Sequence, residues 1–347
     1  MSRRALAVLA TLATLVSLVA ATSLPAAAAT TPTVTFAFVG DTILGNTPQV
    51  PSDPQAYLAP VAKTLSTGSD VVFANLEGTL TTSGTSKCPG GSTSTCYAFR
   101  NPPSFARALA GSGFGVLNLA NNHSYDYGAT GLRSTENAIT GAGMRYTGLP
   151  GQITYVKRHG VHIAFVAFAP YGRTNNLLDL SAAARLIRRA HSQAGIVVVY
   201  MHAGAEGSSA DHVTGGEEHY AGEDRGNPKR FAHMAVDNGA DLVVASGPHV
   251  LRGMEFYKNR LIAYSLGDFA NYHNFSSSGS LSRSLVLHVT LGPHGAFKDA
   301  QLTSVQLARG GRASVGGDSL GFVSSLSRHD FGAHAARITK SGRVFAP

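Results

Sequence analysis

Apolar runs along this chain repeatedly stop at a glycine, a proline or a residue capable of chemistry. Residues 33–39 read as a strand that ends at Gly40-Asp41, 54–65 as a helix, and 70–76 as a strand followed by Glu77. A helix over 103–111, a strand over 115–119 and a helix over 128–142 continue the alternation, which suits βαβ units built on a mainly parallel sheet. After Gly148 the pattern changes. Residues 153–157 and 161–169 flank Arg158-His159-Gly160 as an antiparallel hairpin opening a second sheet layer. A long helix over 177–194 leads to a buried strand over 196–201 that ends at His202. A helix over 228–238 then precedes a strand over 241–245, which stops short of His249. Residues 253–257 and 260–265 form a hairpin turning at Lys258-Asn259, and 284–291 and 299–307 are the last clear strands. The pattern predicts an α/β (α+β) domain over 33–307 and a weakly structured, Gly/Ser-rich tail over 308–347. Two polar insertions, 79–97 and 205–227, fall beside the strand ends, where long loops commonly serve as lids or binding walls.

Composition agrees with a sizeable core: 347 residues, 44% hydrophobic, with 39 Gly. The first 29 residues stand apart, with Arg3 and Arg4, an apolar run, and Ala26 to Ala29. They read as a secretory signal peptide cut near Ala29, with a retained membrane anchor as the rival reading. Without them the chain carries 26 basic and 20 acidic residues, a net of +6, which suits an anionic polymer or plain solubility. Basic residues are not interleaved with aromatics in the way nucleic-acid binding favours. Cys88 and Cys96 lie eight positions apart, and in an exported chain they read as a local disulfide; two lone thiols make a poor zinc site.

The candidate chemistry gathers at strand ends. Asp41, Glu77, Asn122, His202 and His249 offer carboxylate, amide and imidazole ligands. In a parallel sheet such ends meet at one edge although the residues span more than 200 positions. Glu77 follows the apolar run Val71-Val72-Phe73-Ala74, where a carboxylate is costly to bury without a cation.

Gly40-Asp41, Asn75-Leu76-Glu77, Phe99-Arg100-Asn101-Pro102-Pro103, Ala120-Asn121-Asn122-His123 with Asp126-Tyr127-Gly128, Gly247-Pro248-His249-Val250 and Tyr264-Ser265-Leu266-Gly267-Asp268-Phe269 together resemble the CapA family of capsule and poly-γ-glutamate biosynthesis proteins. The resemblance implies a four-layer αββα sandwich similar to the metallo-dependent phosphatases, and a role in making, exporting or anchoring an anionic surface polymer. It also implies one or two divalent ions, Mn²⁺ or Zn²⁺, held by Asp41, Glu77, Asn122, His202 and His249. His123 then corresponds to the proton donor, oriented by Asp126. Arg100 is a candidate contact to a substrate carboxylate or phosphate, and Asp268 a candidate support behind the ligands, where the family more often has Asn. Two positions depart from the metallophosphatase pattern: Ile43 and Gly247 stand where imidazoles are expected. The resemblance therefore implies either a metal-dependent hydrolase or transferase on a polymer, phosphoester or γ-glutamyl amide, or a non-catalytic polymer-binding or assembly protein. A membrane biosynthetic complex is an expected partner, met from outside the membrane. His219, His233 and His273 read as surface or packing residues.

Overall fold

In the computed structural model, which describes residues 31–90 and 96–347, side chains along the Val34–Ile43 strand alternate between two cores. Phe36 and Phe38 point into a core shared with Phe73, Phe165 and Tyr200; Ala37 and Val39 point into another, shared with Leu58, Val61 and Leu109. The Ile196–His202 strand behaves likewise. Ile196, Val198 and Tyr200 enter the shared core, while Val197, Val199 and Met201 face Ile187 and Phe231. Strands that are apolar on both faces must be covered on both, and four layers follow.

Among the described residues the two main sheets have ten and six strands. In the first, Val34–Ile43 lies centrally, parallel to Val71–Leu76, which pairs in parallel with Val116–Asn118 and that in turn with Arg145–Thr147. On its other side it pairs antiparallel with Arg283–Leu291. Helices Pro54–Ser66, Phe105–Gly111 and Gly128–Gly141 accompany this sheet. The second sheet is built on Val161–Phe168, Ile196–His202, Leu242–Ser246 and Arg260–Ala263, all parallel, with Thr154–Arg158 and Met254–Tyr257 as antiparallel edges. Its outer face is covered by Leu180–His191 and Pro228–Asp237. Between the sheets, Phe73 stacks on Phe165 at 5.6 Å and lies 4.9 Å from Tyr200, measured between ring centroids. Each such ring contributes about 2–3 kcal/mol by leaving water. The αββα sandwich is therefore present.

The tail departs from expectation. Residues 308–347 are ordered into the Ala313–Val315 strand, the Ser319–Phe331 helix and a hairpin of Arg337–Ile338 with Arg343–Phe345, which joins the first sheet at Ala300 and Gln301. Glycines mask the pattern, yet Val323, Ala336 and Val344 are buried in the core between the sheets. Residues 32–347 are accordingly one compact unit rather than a domain ending at 307. The expected signal segment, 1–29, lies outside the described residues. Among the described residues, no helix is long and apolar enough to cross a membrane.

Candidate metal centre and proton-donor loop

Strand register assembles the site. Asp41, Asn75 and Asn118 stand opposite one another on three adjacent strands, and Ser246 stands opposite His202 in the second sheet. The row is wired by amides: Asn118 Nδ2 donates to Asn75 Oδ1 at 2.7 Å, and Asn75 Nδ2 donates to Asp41 Oδ1 at 2.6 Å. From the other sheet, the Ser246 hydroxyl donates to Asp41 Oδ1 and the Gly247 N–H to Oδ2. Gly40 is required beside this carboxylate, because a Cβ there would lie 1.8 Å from the Gly267 carbonyl oxygen.

Glu77 sits at the centre, fully buried, and neither of its oxygens has a hydrogen-bond partner. His202 Nε2 is 3.8 Å from Glu77 Oε1 and His249 Nε2 is 3.9 Å from it, while their Nδ1 atoms stand 3.6 and 3.5 Å from Asp41. Asn122 Oδ1 lies 3.0 Å from His202 Nε2. The five residues expected as ligands are thus brought together. Their donor types fit a divalent cation, and a buried carboxylate with no donor is the opening such an ion would fill.

Electrostatics repeats the point. Burial, reinforced by the charge of Asp41, pushes Glu77 well above the usual carboxyl range. Burial also acts upward on Asp41, but the neighbouring His202 and His249 imidazoles and the Ser246 hydroxyl outweigh it and bring it to about 2. Burial lowers His202, with Asp41 opposing; His249 is held well above its usual value because Asp268 and Glu77 overcome its burial. Asp268, pushed up by burial to about 6, contacts His249 Nδ1 at 2.7 Å and so holds that ring from behind. His249 itself has φ of 60°. This left-handed conformation costs a non-glycine residue about 1 kcal/mol, and here it turns the imidazole toward the two carboxylates.

Beside this cluster the His123 ring packs on Phe99 at 4.3 Å, and its Nδ1 contacts Asp126 Oδ2 at 2.8 Å. Burial lowers His123, with Asp126 opposing. Asp126 takes its hydrogen bonds at Oδ2 alone, and its buried Oδ1 faces only the Lys87 ammonium. The Phe99 N–H donates to its Oδ2 at 2.6 Å, and Lys87 Nζ lies 2.6 Å from its Oδ1. Cys88 and Cys96 are disulfide-bonded between these two gripping residues. Arg100 is partly buried with its guanidinium over the Tyr127 ring, 4.8 Å from the centroid.

Sequence reading assigned no role to Asn75, Ser246, Lys87, Glu206 or Arg225. Glu206 Oε2 lies 3.6 Å from His249 Nε2, and buried Arg225 binds Glu206 at 2.7 Å, so the 205–227 insertion does form one wall of the site. The available signal was a carboxylate four positions past a strand-end histidine. Of the histidines set aside, His233 contacts Glu255 at 2.7 Å and stacks on Tyr257, away from the cluster.

The fold is thus a two-sheet αββα sandwich with a carboxylate–imidazole cluster at its strand ends. Residues 35–273 match the family described as bacterial capsule synthesis protein PGA_cap, and the chain belongs to that family. It is 33% identical over 180 residues to the PGA biosynthesis protein CapA of Bacillus subtilis, covering 47% of this chain and 44% of that one. A probable polyglutamine synthesis accessory protein of Mycobacterium tuberculosis is 28% identical over 276 residues, covering 70% and 67%. The chain thus spans less than half the length of the Bacillus relative. Among solved structures, a 5'-nucleotidase precursor of Thermus thermophilus aligns with TM-score 0.43 at 12% identity, over 79% of this chain and 54% of that one. A purple acid phosphatase of yellow lupin aligns with TM-score 0.38 at 10% identity, over 82% and 54%. Similarity that low transfers no residue roles.

Proposed function

We propose that this protein is exported and acts in capsule or poly-γ-glutamate biosynthesis, export or anchoring, as a metal-dependent hydrolase or transferase on an anionic polymer or phosphoester. The observation that carries the reading is Glu77, a buried carboxylate with two unpartnered oxygens set among Asp41, His202 and His249. Asp41, Glu77, Asn122, His202 and His249 would hold one or two Mn²⁺ or Zn²⁺ ions. When bound, such ions supply Lewis acidity and lower the pKa of water. The chain's own residues do the rest. Asp126 holds His123 by Nδ1, which leaves Nε2 to carry a proton to the leaving group. The amide row keeps Asp41 fixed, and Asp268 keeps His249 in its rotamer. Arg100 is the proposed contact for a substrate anion. Export is supported by the apolar leader and by the disulfide, and a membrane biosynthetic complex would be met from outside.

A second reading, polymer binding or assembly without catalysis, is favoured by Ile43 and Gly247, which remove two imidazoles from the ligand set. Elemental analysis of the protein equilibrated with Mn²⁺ or Zn²⁺, beside Glu77→Gln, tests the centre. One or two ions lost in the variant support it, and no ion in the folded wild type overturns it. Poly-γ-glutamate retention that is indifferent to chelator, without turnover of polymer or phosphoester, would favour the binding reading.

A further inference from the structure

The 205–227 insertion meets the C-terminal helix through a second group of ligating side chains, separate from the Glu77 cluster. His212 Nδ1 lies 2.7 Å and His329 Nδ1 2.9 Å from the same oxygen, Oδ1 of Asp330. The two rings stand 4.6 Å apart. The other carboxylate oxygen accepts the Val213 N–H at 3.0 Å, which fixes the plane of the group and leaves Oδ1 facing both imidazoles. The Asp330 side chain is 2% exposed, whereas the His212 and His329 side chains are 45% and 74% exposed. Exposed imidazoles satisfy themselves with water, and ordering two of them costs about 1 kcal/mol each in rotamer freedom. Their convergence on one buried carboxylate gives two nitrogens and an oxygen with an open side to solvent, the donor set and vacancy that zinc accepts.

We propose that His212, His329 and Asp330 form a peripheral divalent-metal site, suited to Zn²⁺, that fastens the 205–227 segment to the Ser319–Phe331 helix. The segment carries Glu206 and Arg225, so an ion here braces a wall of the central cluster without belonging to it. It also gives the C-terminal region, which joins the sandwich late in the chain, a direct hold on that wall.

The test is Zn²⁺ stoichiometry of chelator-stripped protein, by calorimetric titration and elemental analysis after desalting. The samples are wild type, Glu77→Gln, a His212→Ala/His329→Ala double variant, and the triple combination. The expected result is one equivalent fewer in the double variant than in wild type, one equivalent retained in Glu77→Gln, and none in the triple variant. In the Glu77→Gln background, Zn²⁺ should slow proteolysis within 205–227, and it should cease to do so when both histidines are gone. Equal stoichiometry in wild type and the double variant overturns the proposal. Equal stoichiometry in wild type and Glu77→Gln counts instead against the central cluster, so the two failures are distinguishable. Both histidines are exposed, and circular dichroism of the double variant confirms that the comparison is between folded proteins.

Discussion

Two buried carboxylates in this molecule face opposite situations. Asp126 is paired: a backbone N–H and an imidazole meet its Oδ2, and the Lys87 ammonium faces its Oδ1, which has no hydrogen bond of its own. Glu77 is open, with no donor at either oxygen and Asp41 beside it. Evolution tolerates a buried charge only when something neutralises it. Asp126 has its cation within the protein, in Lys87; Glu77 has no donor, and burial pushes it toward its neutral, protonated form. The contrast separates a carboxylate paired by the fold itself from one left without a donor, a few side chains apart.

The sharpest way to break the contrast is through the residue each carboxylate serves. His123→Ala should lower turnover by about 10²–10⁴-fold while leaving bound metal unchanged, read by kinetics beside elemental analysis. Full activity would remove His123 from the chemistry. Next in size are the carboxylates. Asp126→Asn should destabilise the fold by about 3 kcal/mol in urea unfolding, since it weakens three contacts to a buried charge. Glu77→Gln should leave the metal-free protein at least as stable as wild type, because it replaces a buried carboxyl whose charged form burial and Asp41 already disfavour. An equal loss in both variants would erase the distinction. Asp268→Asn should weaken metal binding on the order of 10–100-fold, measured by competition with a chromophoric chelator, and unchanged affinity would end its supporting role. The smallest effect belongs to Lys87→Ala. Its side chain is 37% exposed, so the loss should be about 1 kcal/mol or less, accompanied by a change in the His123 titration followed by NMR.

Much of this architecture was legible in the chain. Both-face apolar strands such as Ile196–His202 announced themselves by composition, and their ends carried Asp41, Glu77, His202 and His249 into one place. What escaped reading shares a physical cause. Glu206 and Lys87 sit on polar insertions, where no periodicity fixes direction and contact depends on how the loop folds back. Asn75 and Ser246 are small polar residues inside strands; only register reveals that they face Asp41. The order of the tail is hidden in the sequence because Gly310, Gly311, Gly316 and Gly317 dominate its start, while its few apolar anchors are spaced too widely to show a pattern.

The hydrogen bonds that Ser246 and Gly247 give to Asp41 cross from one sheet to the other. The proposed ligands are divided in the same way, with Asp41 and Glu77 on one sheet's edge and His202 and His249 on the other's. An ion seated among them would therefore act as a clasp between the halves of the sandwich. Neither half alone presents a complete grip, so metal retention would report that the two sheets have closed correctly, and stripping the ion would loosen the seam before it touched either sheet.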